Sequence, residues 1–332
     1  MADLSTKYMG FHLRNPIIAA SSGLTDTAEK VKNLEENGAG AVVLKSLFEE
    51  QIMMEINSLA AGNLYNNYAE AEDYISYYTR KHSLDEYLHL IEDAKSKVDI
   101  PVIASLNCYS VGQWVDFAQR IESAGADGIE LNLFFMPGDQ KFSSAEIEDI
   151  YFDIIRSVRK NTNLPVAVKL SSYFTGMADS LIKISKEEIS SMVLFNRFYT
   201  PDIDLEKEEM VSSRIFSLPE EISHTLRWIG MVSDKVHCDL AASTGINDGY
   251  AAIKALLAGA QSVQVASALY KNTAKHIGLM LQQMESWMDE KGYTRLDDFI
   301  GKLSYRKVNK PVIYERAQFM RYFNSDEKNS PE

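Results

Sequence analysis

Cys238 to Tyr270 reads CDLAASTGINDGYAAIKALLAGAQSVQVASALY. Two short apolar runs, Cys238 to Thr244 and Ser262 to Ser267, flank a segment from Asn247 to Ala258 whose apolar residues recur at helical spacing, with Gly259 as its stop. The segment therefore reads as strand, helix, strand. Both strand runs are dominated by Val, Ile, Leu and Ala, the pattern of parallel strands buried on both faces.

The same unit recurs upstream. Further apolar runs occupy Ile17 to Ser22, Ala41 to Ser46, Pro101 to Asn107, Gly128 to Phe134, Pro165 to Ser171 and Ser191 to Arg197, which brings the number to eight. Helical periodicity follows at Ser83 to Val98, Val111 to Ala124, Ala145 to Asn161 and Leu218 to Val232, with Pro219 at one helix start and Gly125 past one helix end. Eight units in series, with no Ser/Pro-rich linker, predict one (β/α)8 TIM barrel domain over residues 1–332, an α/β fold. An open doubly wound sheet is the alternative.

Two stretches interrupt the alternation and are expected at the C-terminal rim. The first, about 47–82, carries Tyr65, Tyr68, Tyr74, Tyr77 and Tyr78; it reads as a lid over the site, or equally as a dimer contact or surface flap. The second is an acidic insert, about 199–217. From Thr294 onward, Leu296, Phe299, Ile300 and Leu303 fall at helical spacing and predict a tail packed on the barrel.

The chain has 332 residues, 45% hydrophobic and 24% charged, a balance that buries a sizeable core and excludes wholesale disorder. A net charge of −13 repels phosphate backbones and anionic membranes, so neither nucleic acid nor a membrane is expected as a partner. Cys108 and Cys238 are the only cysteines, too few for a disulfide framework and wrongly spaced for zinc. Met1 to Arg14 lacks a continuous apolar signal-peptide core, and no stretch approaches the ~18 apolar residues of a membrane span. A cytoplasmic protein is expected.

In a barrel, polar residues at the strand C-terminal ends converge on one pocket. Here those ends carry Ser21 and Ser22, Lys45 and Ser46, Asn107, Asn132, Lys169, Asn196, Ser243 with Thr244 and Gly245, and Ser267. A lysine buried in a strand is costly unless it meets an anion or strong acceptor, so Lys45 and Lys169 are the most informative. A lysine snorkelling out of a strand end would explain either one singly. Loops after the seventh and eighth strands commonly bind phosphate through backbone amides, which makes Thr244-Gly245 and Ala266-Ser267 candidates for a phosphate-bearing ligand. The six histidines show no metal-ligand spacing, so no metal is expected. No nucleophile elbow, phosphate-cradling Gly-Lys loop or dinucleotide fingerprint is present.

Several of these pieces occur in an ordered series: Asn15-Pro16 leading to Ala20-Ser21, Lys45-Ser46, Asn132 within Glu-Leu-Asn-Leu, Val168-Lys169-Leu170 followed by Tyr173-Phe174, Ser243-Thr244-Gly245-Ile246, and Val263-Gln264-Val265-Ala266-Ser267-Ala268-Leu269-Tyr270. Gly292-Tyr293, Asp298-Phe299 and Gly301-Lys302-Leu303 continue it. Together they resemble the FMN-dependent dihydroorotate dehydrogenases of pyrimidine biosynthesis, particularly the soluble class 1A enzymes, over nearly the whole chain. The resemblance implies FMN across the barrel mouth, a small-molecule substrate, an electron acceptor it does not identify, and a homodimer. It implies that Lys169 meets the pyrimidine edge of the flavin and that Lys45 lies between flavin and substrate. Ala20, Ser21, Ser46, Asn107 and Asn132 would contact the cofactor, Asn196 would lie near the substrate, and amides at Thr244, Gly245, Ala266 and Ser267 would hold the phosphate.

One loop departs from the family. Its pattern after the fourth strand is Asn, apolar, Ser, then Cys or Ser, Pro, Asn, the Cys or Ser being the base. This chain has Asn132-Leu133-Phe134-Phe135-Met136-Pro137. Phe135 stands in the base position, beside the substrate, and accepts no proton. Cys108 is the nearest replacement base, set against the reading of an inert thiol. Two other functions stay open: a flavin-free phosphate-binding lyase or isomerase using Lys169, and a flavin-binding module without turnover.

Overall fold

The computed structural model describes residues 2–48, 69–107, 111–134, 142–197, 201–212, 214–309 and 311–315. The first two strands, β1 (Thr6–Tyr8) and β2 (Phe11–Leu13), form an antiparallel hairpin. The chain then runs through β3 (Ile17–Ala19), helix α1 (Ala28–Glu36), β4 (Ala41–Val43), the two-residue β5 (Leu47–Phe48) and α2 (Ala69–Lys97). Next come β6 (Val102–Asn107), α3 (Val111–Ser123), β7 (Gly128–Leu133), α4 (Ser144–Asn161), β8 (Val166–Leu170), α5 (Met177–Ile184) and β9 (Ser191–Leu194). A second hairpin, β10 (Pro201–Asp204) with β11 (Glu209–Ser212), precedes α6 (Ile222–Val232), β12 (Asp239–Ser243), α7 (Gly249–Ala258) and β13 (Ser262–Val265). Helices α8 (Ser267–Asn272) and α9 (His276–Lys291) follow.

Eight of these strands close on themselves in parallel. The cycle is β3, β4, β6, β7, β8, β9, β12, β13 and back to β3, where Val263 pairs Ile17. This is the (β/α)8 barrel, and its eight strands fall on the eight apolar runs. β5 is a second, short stretch of the β4 strand that pairs the far end of β6, Leu47 opposite Leu106.

Period-two alternation sorts the strand residues. One set faces the helices, and the other faces the axis and stacks in layers. Ile18, Ala41, Val43, Ile103, Ala167, Val193 and Ala241 form an inner apolar cluster with Tyr8, Met9 and Leu13 of the first hairpin. That hairpin plugs the end of the barrel where strands begin: the Met9 N–H donates to Asp239 at the start of β12, and the Thr6 hydroxyl donates to the Gln261 carbonyl just before β13. Its two turn residues, Met9 and Gly10, both have positive φ, 53° and 84°, the requirement of a tight hairpin loop whose twist matches its strands. The sequence reading did not find it, because Met is an unusual residue at such a turn.

Local caps fix the helix ends. Ser143 and Glu146 form a reciprocal capping box at the start of α4, and Asp248 accepts from the Ala251 N–H at 2.8 Å to start α7. Gly259 ends α7 at φ 124°. Two expectations are corrected. α2 begins at Ala69 rather than at Ser83, so Tyr74, Tyr77 and Tyr78 belong to a helix; residues 49–68, with Tyr65 and Tyr68, lie outside the described residues. In the tail, Leu296 and Phe299 are buried as expected, but Leu296–Asp298 forms a 3-10 turn rather than the start of an α-helix and Leu303 is exposed. No helix among the described residues is long and apolar enough to cross a membrane.

Candidate active site

At the opposite end from the plug, where the barrel strands finish, lies a cavity of about 550 Å³. Its volume falls within the ~300–1,000 Å³ of small-molecule sites. The structure brings into its wall Ala20 and Ser21 after β3, Lys169 of β8 and Asn196 after β9. Thr244 and Gly245 after β12, with Ala266 and Ser267 after β13, complete the predicted set found there.

The two phosphate-loop candidates are built differently. Thr244 and Gly245 both have left-handed backbone, φ 73° and 78°. For Thr this conformation is an outlier, and its hydroxyl ties it down by donating to the Phe195 carbonyl at 3.1 Å. At Gly245 a Cβ would sit 2.3 Å from the backbone nitrogen of Ile222, so the start of α6 packs against a bare Cα. At the other loop the Ser267 hydroxyl accepts from the Ser217 N–H at 3.0 Å, and the Lys271 ammonium donates to the Ser217 carbonyl at 3.2 Å. These bonds pin the end of the acidic insert against the cavity, where the Phe216 ring packs at a tilt of 37° on Tyr270, centroids 5.5 Å apart.

Behind Ser21 lies a buried polar network. Ser21 and Ser46 share a hydroxyl hydrogen bond of 3.0 Å, Ser46 and Ser105 one of 2.7 Å, and the Asn132 amide donates to both Ser46 and Ser105, at 3.0 and 2.8 Å. Tyr87 of α2 closes it, donating to the Ser105 carbonyl at 3.0 Å and accepting from the Ser105 N–H at 2.7 Å. Ser46 and Asn132 thus support the wall rather than line it. Asn107 ends β6 half-exposed and outside the wall.

Lys45 is the correction. The sequence treats it as a buried lysine, whereas its side chain is exposed and takes no part in this wall. The Leu44 N–H still donates to the Ile103 carbonyl of β6, at 2.9 Å, but the Lys45 N–H turns away to the Thr25 carbonyl, at 3.2 Å, before pairing resumes at Leu47, and the Lys45 side chain is left exposed. Cys108 and Phe135 lie outside the described residues.

Lys169 is the buried cation. Its ammonium donates to the Gln264 side-chain oxygen at 2.9 Å and stands 3.8 Å from a Glu130 carboxylate oxygen, while the Gln264 amide nitrogen donates to the other Glu130 oxygen. Sequence reasoning did not single out Glu130 or Gln264. The available signal was alternation, since each sits two residues before a named strand-end residue, Asn132 or Ala266, and so faces the axis.

A smaller cavity of about 180 Å³ adjoins through Asn196, Arg197 and Thr244. His224 of α6 lies in it against the Phe195 ring, centroids 5.2 Å apart; burial, then the neighbouring Arg227 charge, lower its pKa from the ordinary 6.5.

These features define a TIM barrel with a polar ligand cavity at the C-terminal mouth, floored by a lysine and closed by the loops after the last two barrel strands. The profile of the family described as Dihydroorotate dehydrogenase matches residues 3–288, and the chain belongs to that family. Among its relatives, the dihydroorotate dehydrogenase B (NAD(+)) catalytic subunit of Thermoplasma volcanium is 27% identical over 315 residues, 91% of this chain and 98% of the relative. Catalytic subunits of the same description from Geobacter sp. strain M21 and Methanocaldococcus jannaschii are 26% and 23% identical, over 91% and 90% of this chain and 98% and 97% of their own lengths.

Proposed function

We propose that this chain is an FMN-dependent oxidoreductase acting on a CH–CH bond of a small substrate. The observation that carries the reading is the buried Lys169 ammonium at the floor of a cavity whose far wall is made by the loops after β12 and β13. The residues fit the cofactor. Thr244 and Gly245 bring a left-handed turn to the cavity wall, Ser267 and Ala266 open a helix there, and Lys169 has more N–H donors than the one given to Gln264. FMN, when bound, supplies the hydride acceptor.

The chain's own groups would then divide the work. Lys169 holds a positive charge where negative charge develops on reduction. Ala20, Ser21, Thr244, Gly245, Ala266 and Ser267 bind and orient, with Ser46, Asn132 and Asn107 behind or beside them, and Asn196 faces the substrate side. Lys45, exposed and outside the described wall, would contact the substrate. Phe135 would stand where the family's sequence pattern has its proton acceptor, which leaves Cys108 as the thiol nearest in sequence.

For the electron acceptor, relatives described as NAD(+)-linked catalytic subunits favour delivery through a second, electron-transferring subunit in addition to any homodimer. The experiment is FMN titration followed by stopped-flow reduction with dihydroorotate. We expect about one FMN per chain and, because a positioned base typically contributes ~10²–10⁴-fold, very slow reduction by dihydroorotate. Protein that stays colourless after incubation with FMN overturns the cofactor assignment. Rapid reduction overturns the loss of the base.

A further inference from the structure

A lysine and a glutamate buried in the same barrel normally collapse into contact, N to O at ~2.8 Å, because neither has water to compete for it. Lys169 and Glu130 do not. Both are buried, at 6% and 1% exposure, yet the ammonium stands 3.8 Å from the nearer carboxylate oxygen. Between them reaches Gln264, from β13 on the other side of the axis, its carbonyl oxygen accepting from Lys169 at 2.9 Å and its amide nitrogen donating to Glu130.

We propose that Gln264 and Glu130 are positioning residues for Lys169: Gln264 is a spacer that keeps the ammonium from collapsing onto Glu130, and Glu130 sets which way the spacer faces. This rests on the flavin reading above. Its physical basis is the donor inventory. A carboxylate only accepts and an ammonium only donates, so a side-chain amide between them bridges the two in a single orientation, NH2 to one Glu130 oxygen and C=O to Lys169, while the other Glu130 oxygen, the one facing the ammonium at 3.8 Å, is left without a hydrogen bond. The amide thereby takes the place of the direct ion pair. The lysine stem is long and has many rotamers, so without the spacer nothing holds its head toward the cavity. Glu130 also balances the ammonium, so that the floor is not a lone buried charge.

The arrangement makes separable demands on three residues. Gln264→Met keeps volume and removes the bridge; Lys169 should then close on Glu130 and withdraw from the cavity. FMN affinity should fall about tenfold or more, and the midpoint potential of bound flavin should drop, ~30 mV for each tenfold shift in this two-electron couple. In a Lys169→Met background the same Gln264→Met change should move either quantity by less than about twofold, because the group it acts through is gone. Equal losses in the two backgrounds, or no loss in either, overturn the proposal.

An unfolding cycle on apoprotein tests the charge half without flavin. Glu130→Gln should lower the urea midpoint strongly by stranding a buried ammonium, and Glu130→Gln combined with Lys169→Met should be more stable than Glu130→Gln alone. A Glu130→Gln chain that fails to fold while the double variant folds shows the same coupling. Additive losses overturn it. Should the unmodified chain bind no FMN, the flavin reading falls while this cycle still decides whether the two charges are coupled.

Discussion

Lys169 and Gly245 are the residues on which the site depends most directly, and each for a different reason. Replacing Lys169 by Ala removes the cation from the cavity floor and leaves Glu130 buried without its counter-charge. The expected outcome is weaker FMN binding and a flavin that is harder to reduce, read by fluorescence quenching and by potentiometry. Retention of both values would remove Lys169 from the flavin's side. Gly245→Ala combines left-handed backbone, a cost of ~1–3 kcal/mol, with a Cβ driven into the Ile222 backbone. Both urea stability and FMN affinity should drop, since the loop can yield only by moving the start of α6. Thr244 next to it already tolerates a left-handed φ through its bond to the Phe195 carbonyl, so Thr244 is expected to be less sensitive to Gly than Gly245 is to Ala.

Among the elements, the N-terminal hairpin does most to close the core and was the least visible in the sequence. Tyr8 is fully buried at its tip, packed inside the barrel with Ile18, Val193 and Ala241. Tyr8→Ala should destabilise the protein by about 3–5 kcal/mol, the range for losing a large aromatic from a core, measurable as a shift of the urea midpoint. FMN affinity should be preserved wherever the variant is still folded, because the plug sits at the end of the barrel away from the cavity. Simultaneous loss of FMN binding in folded Tyr8→Ala protein would contradict that separation. The barrel strands, by contrast, were legible because burial on both faces writes an almost uninterrupted apolar run. The helix starts were less so: α2 extends back to Ala69 through a Tyr-rich segment with little apolar periodicity, and there periodicity carries no signal.

For the whole molecule, pH provides a test through His224. Burial lowers its pKa in the folded state, so the unfolded chain takes up a proton first as pH falls. The His224 contribution is therefore present above its ordinary pKa of 6.5 and is lost as pH drops through the lower, folded value. The urea midpoint should decline from about pH 7 toward pH 5.5, and His224→Gln should flatten part of that slope. An unchanged slope in His224→Gln would assign the acid sensitivity to other groups. Asp239 works the other way. Burial raises its pKa, so its effect favours the folded state at low pH and fades as pH rises through its folded value, which the Met9 N–H partly offsets.

What the sequence determined by itself was the barrel and the general location of its site. Hydrophobic runs report local burial, and the C-terminal end of a parallel strand is where a polar residue must either find a partner or serve a ligand, so Ser21, Lys169, Asn196 and Gly245 were identifiable before any contact was known. Only the tertiary structure decided which of the two lysines is buried: Lys45 and Lys169 look alike at their strand ends, but the backbone turns away from β6 after Leu44 and leaves Lys45 exposed, while full pairing of β8 carries Lys169 to the floor of the cavity. It also decided that Gln264 reaches across the axis to hold Lys169 off Glu130. That contact joins residues 95 and 134 positions apart, and no local propensity or spacing encodes which side chains meet when eight strands close into a ring.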